Sequence, residues 1–134
     1  MLSFHDVYAA QVEFESLFFR FDTLNQVPDE MDAAADYLST SLAREAFEFK
    51  EEFNWKQHIR RKPINVDKAK EEAIDCFTFA LDQFHILGMT ADEVVEWFFL
   101  KNRINWDRQV DAGKVTAEQA EVAKSKYMDL HGMS

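Results

Sequence analysis

Glycine and proline are scarce in this 134-residue chain, with three of the first and two of the second. So few turn formers leave room for long helices and argue against many short strands. Cys76 is the one cysteine, so a disulfide framework within the chain is excluded; it lies in an apolar run and reads as a buried thiol. No apolar run reaches the length that spans a bilayer. The start, MLSFHDVYAA, lacks the basic stretch and long apolar segment of a secretory leader. These absences predict a soluble, cytoplasmic chain with no membrane partner. Basic residues are outnumbered, 15 Lys and Arg against 25 Asp and Glu, for a net charge of −10. That balance argues against a nucleic-acid backbone as partner. HEXXH and CxxC patterns are missing, and His5, His85 and His131 have no ligand spacing, which excludes the common zinc sites. No Gly-rich phosphate loop is present, and no Ser or Cys stands beside a marked base.

What the chain does have is apolar mass: 47% of its residues, with thirteen Phe and three Trp, enough for an aromatic core. Phe4, Val7, Tyr8, Val12, Phe14, Leu17, Phe18 and Phe21 recur at helical spacing over residues 3–23. Pro28-Asp29-Glu30 starts a second helix, expected to run to about residue 57, before Pro63 marks a loop. A third begins near Asp67 and ends before Gly88, a C-terminal cap. Its second half is apolar nearly all round, which suits a bundle centre or a subunit interface. Thr90 with Glu93, and Thr116 with Gln119, have capping-box spacing and open a fourth and a fifth helix. The expected class is all-α: one domain, residues 1–134, built as a bundle of four or five helices.

Acidic pairs carry the chemistry. Glu45 and Glu48 lie three apart, as do Glu72 and Asp75, so each pair shares one helix face. If the two helices pack together, four carboxylates converge. Such a cluster is hard to keep charged without a cation, and oxygen ligands suit Mg²⁺ or Mn²⁺. Exposed Glu is also the ordinary surface residue of helices, and Glu51, Glu52 and Glu71 read as that. Asp75 is different: its sequence neighbours are apolar on almost every side, so it is expected to be paired or bound.

Donors form a second set. Lys101, Asn105 and Arg108 are spaced i, i+4, i+7, with Asn102 beside them. A carboxylate-bound cation and such donors together suit a polyphosphate. The same stripe could be a solvated helix end, where basic residues are favoured. Lys56, with His58, Arg60, Arg61 and Lys62 after it, reads equally as a basic lid over phosphates or as a complement to the helix dipole.

The segment from about 36 to 109 resembles the dimeric, all-α dUTPases within the MazG-like nucleotide pyrophosphohydrolases. The shared elements are Glu45-x-x-Glu48, FNWK at 53–56, KPIN at 62–65, EEAID at 71–75, LGMTADE at 87–93 and KNRINWDRQ at 101–109. The resemblance implies Glu45, Glu48, Glu72 and Asp75 as Mg²⁺ ligands, with Mn²⁺ as a substitute, and Glu45 as the residue that activates water. It implies Lys56, Asn105 and Arg108 at the phosphates, Lys101 and Asn102 nearby, and Gln11 at the base. It further implies a homodimer or dimer of dimers, and a nucleoside triphosphate diphosphatase taking a deoxynucleoside triphosphate, dUTP or dCTP. Gln57-His58 stand where the family has paired Trp, and residues 110–134 extend beyond the shared pattern. A purine substrate such as dGTP, or an inactive nucleotide-sensing protein, are the alternatives.

Overall fold

In the computed structural model, which describes residues 1–17 and 28–131, every regular element is an α-helix. They are α1 (Phe4–Ser16), α2 (Pro28–Glu51), α3 (Val66–Ile86), α4 (Ala91–Asp111) and α5 (Ala117–His131). The expected all-α class is what is found. The positions assigned to the first helix beyond Leu17, including Phe18 and Phe21, lie outside the described residues. No helix among the described residues is long and apolar enough to cross a membrane.

Local chemistry sets the helix ends. Ser3 and Asp6 form a reciprocal capping box at the start of α1. Asn65 and Thr90 cap α3 and α4, accepting from the backbone N–H of Lys68 and Glu93. Thr116 and Gln119 bond reciprocally at the start of α5. Gly88 (φ 71°) and Gly113 (φ 72°) close α3 and α4 in the left-handed conformation, where a side chain would be strained. Each gives the paired backbone bonds of a Schellman motif: Gly88 to His85 and Met89 to Phe84, Gly113 to Val110 and Lys114 to Gln109.

The expected end of α2 near residue 57 is corrected to Glu51. Asn54 explains the early stop. Its side-chain amide donates to the Lys62 carbonyl and accepts from the Lys62 N–H, both at 2.8 Å. This clasp closes the connection to α3 as a compact loop.

Two compact units result, Met1–Met89 and Thr90–Ser134. In the first, α2 and α1 both pack on α3. Its core is Ala34, Leu38 and Ile86, with Phe79 against them. Tyr8 is also buried, and its hydroxyl donates to the Met89 carbonyl at 2.7 Å. In the second, α4 packs on α5. Phe99 stacks on Tyr127 at 5.2 Å, and Lys124 bridges to Asp107 and Glu121.

Candidate functional site

Packing α2 on α3 joins acids that are far apart in sequence. One carboxylate oxygen from each of Glu45, Glu72 and Asp75 lies within 4.8 Å of the others. Glu48, one turn after Glu45, adjoins this group: its carboxyl acts on both Glu45 and Glu72.

Burial within the group differs from expectation. Asp75 is exposed and Glu72 is the buried member, with Glu45 half-buried. The apolar neighbours of Asp75 do not enclose it, because Ile74 and Phe77 are themselves 59% and 41% exposed. Within one chain, that face of α3 is left open. Cys76, expected to be buried, is half-buried.

Charge in the group is unevenly distributed. Burial, followed by Glu48 and then the nearby Asp75 and Glu72, pushes the Glu45 carboxyl up to about 7. Glu72 moves the other way, because Lys68 bonds it at 3.1 Å from one turn earlier. Among the described residues, Glu45 Oε2 and Glu72 Oε2 are buried and meet no hydrogen-bond donor. Two buried carboxylate oxygens without donors, beside two further acids, fit a hard divalent cation. Lys68 was not singled out from the sequence. Its i, i+4 spacing to Glu72 was the available signal.

The predicted donors fall in two places. Lys101, Asn102, Asn105 and Arg108 all lie on α4, in the second unit, with Asn102 half-buried and the rest exposed. Lys56 lies in the loop that Asn54 clasps. Its ammonium sits 5.0 Å from the centre of the Trp55 ring, and that of Lys50 sits 4.0 Å from it. Glu51 accepts from the Trp55 indole N–H at 3.2 Å. Glu51, Trp55 and Lys56 border a cavity of about 380 Å³, together with Arg60 and Lys62.

Gln11 is on α1, and its amide donates to Asp82 Oδ1 on α3 at 2.9 Å. Asp82 and Glu15 are buried, at 4% and 2% exposure, and neither was singled out from the sequence. Burial, followed by Asp82, pushes the Glu15 carboxyl up to about 9. The signal for Asp82 was the apolar run that also holds Asp75. For Glu15 it was the spacing i, i+3, i+7 from Tyr8 through Gln11 on one helix face.

Comparison with known proteins gives one short similarity. The chain is 45% identical over 40 residues to the dCTP pyrophosphatase of Enterobacteria phage T4, covering 30% of this chain and 23% of that protein. The match thus spans about a quarter of its relative's length. No protein-family model matches the chain. No solved structure matches it either.

Proposed function

We propose that this chain is a Mg²⁺-dependent deoxynucleoside triphosphate pyrophosphohydrolase, converting a dNTP and water to dNMP and pyrophosphate. The observation that carries this reading is the convergence of Glu45, Glu72 and Asp75, with two buried carboxylate oxygens that meet no donor. The short similarity to a dCTP pyrophosphatase supports it and favours a pyrimidine substrate, dCTP or dUTP.

Glu45, Glu48, Glu72 and Asp75 would hold the metal, which when bound supplies charge neutralisation on the phosphates and an acidified water. Glu45 takes the proton from the attacking water; it lies beside Glu72 and Asp75, where a bound cation would hold its carboxyl ionised and able to accept. Glu72 keeps its negative charge beside Lys68. Lys56, Lys101, Asn102, Asn105 and Arg108 bind phosphate oxygens, and Gln11 orients the nucleoside. Exposed Ile74 and Phe77 on α3 support a homodimer in which a second copy covers that face.

Pyrophosphate release from each dNTP and from dUTP, with Mg²⁺ and with chelator, tests the reading. Release from a pyrimidine dNTP that stops with chelator is the expected result. Absence of release from every nucleotide contradicts it.

A further inference from the structure

In the second unit, one side of α4 is half-buried and the other is open. Phe99, Arg103, Trp106 and Val110 are the half-buried positions of its second half, spaced i, i+4, i+7, i+11. On α5 the covered row is Ala120, Ala123, Lys124 and Tyr127, spaced i, i+3, i+4, i+7. The two rows meet where Phe99 stacks on Tyr127 and where Lys124 Nζ reaches Asp107 Oδ1 at 2.8 Å. Lys101, Asn105 and Arg108 each follow a member of the α4 row by two residues, a rotation of about 200°. They are exposed and lie on the side turned away from α5.

Lys124 is the charged member of the α5 row, and its side chain is 11% exposed. Two alanines and a tyrosine make up the rest, and an apolar side chain would fill the place without desolvating a charge. Its ammonium instead bonds Asp107 across the hairpin and Glu121, at 2.6 Å, one turn back. A half-buried ion pair adds little net stability, so the charge itself is what this position supplies. Asp107 directly precedes Arg108. Left uncompensated, its carboxylate would repel a phosphate drawn to Arg108, because screening at 0.1 M salt acts only over about 10 Å.

We propose that Lys124 is a positioning residue for the donor stripe of α4, cancelling the charge of Asp107 from behind so that Lys101, Asn105 and Arg108 can hold a polyanion. This deepens the pyrophosphohydrolase reading and rests on its assignment of that stripe to phosphates. It also gives the C-terminal helix a part in the site. Lys124 touches no substrate; it acts through Asp107, on the far side of the helix from the donors. Glu121, the other acid it holds, belongs to α5.

The test reads the stripe first without catalysis and then with it. Amide NMR at low ionic strength, in chelator, follows Asn105 and Arg108 as inorganic pyrophosphate is added. Pyrophosphate release from dCTP with Mg²⁺ reads the reaction. Lys124→Met is expected to weaken pyrophosphate binding about fivefold, as one uncompensated charge beside a polyanion does, and to raise KM with little change in kcat. The difference from wild type fades as salt is raised. Lys124→Arg keeps the wild-type affinity. Adding Asp107→Asn to Lys124→Met restores it, although the bond across the hairpin is still missing. Asp107→Asn alone, which cuts the same bond and keeps Lys124, binds at least as tightly as wild type. A mere brace predicts weaker binding in both of these variants and no dependence on salt. That pattern, equal affinity of wild type and Lys124→Met, or no response of Asn105 and Arg108 to pyrophosphate overturns the proposal. If no nucleotide is hydrolysed, the pyrophosphohydrolase reading fails separately, and the titration still decides the role of Lys124.

Discussion

Lys68 reaches Glu72 at 3.1 Å, one turn along α3, and is the only counter-charge bonded to the buried acid of the cluster among the described residues. The ammonium offsets negative charge that a divalent cation would otherwise offset. Lys68→Met should therefore lower the melting temperature in chelator. It should also enlarge the rise in melting temperature on adding Mg²⁺ beyond that of the wild type. Thermal melts with and without Mg²⁺ read both effects. An equal Mg²⁺ response in the two proteins would separate Lys68 from the metal site.

Glu45 has the raised carboxyl of the cluster, set by burial and by neighbouring acids. Glu45→Gln removes a proton acceptor and a metal ligand with little change of shape. It is expected to lower kcat by about 10²–10⁴, the usual range for a general base, with the far-UV circular dichroism unchanged. Glu48→Gln and Asp75→Asn are expected to abolish turnover with the same retention of helix. Steady-state kinetics beside circular dichroism checks all three.

Glu15 predicts a pH dependence of stability. Its carboxyl ionises near 4.5 when unfolded and near about 9 when folded. Below pH 4.5 both states carry the proton, so there is no differential. Between 4.5 and 9 the folded state binds more protons than the unfolded one, and stability falls as pH rises, by up to about 1.4 kcal/mol per pH unit. Asp82 faces this carboxyl and accepts from Gln11; burial lowers the His85 imidazole, and the Asp82 charge opposes that pull. Glu15→Gln removes the loss. Denaturant unfolding at pH 6 and pH 8.5 should show the variant gaining stability over wild type at the higher pH.

Asn54 holds the loop between α2 and α3 through its two bonds to Lys62. Asn54→Ala should leave the helices intact, speed tryptic cleavage at Lys56, Arg60 and Arg61, and raise KM more than it lowers kcat. Limited proteolysis and kinetics read these effects independently.

Much of this was legible in the sequence. Capping residues, two glycines and a helical apolar period located the helices, because those signals act within one turn. The acidic pairs were legible for the same reason, since i, i+3 spacing fixes a shared face. Burial was not. An acid amid apolar neighbours is expected to be partnered; this fails for Asp75 and holds for Asp82, seven residues later in the same run. Asp82 is 4% exposed and bonded by Gln11, while Asp75 is exposed. Sequence neighbours surround a residue on all sides of a helix, but only tertiary packing decides which side is covered. The end of α2 was missed for a similar reason. The Asn54 clasp joins residues eight apart, a contact that no helical period encodes.

The most direct test is to identify the products formed from dCTP and dUTP with Mg²⁺, by anion-exchange chromatography, for the wild type and Asp75→Asn. The account predicts equimolar dNMP and pyrophosphate from the wild type, none in chelator, and none from the variant. Formation of dNDP and phosphate, or the same products from Asp75→Asn at the same rate, would contradict it.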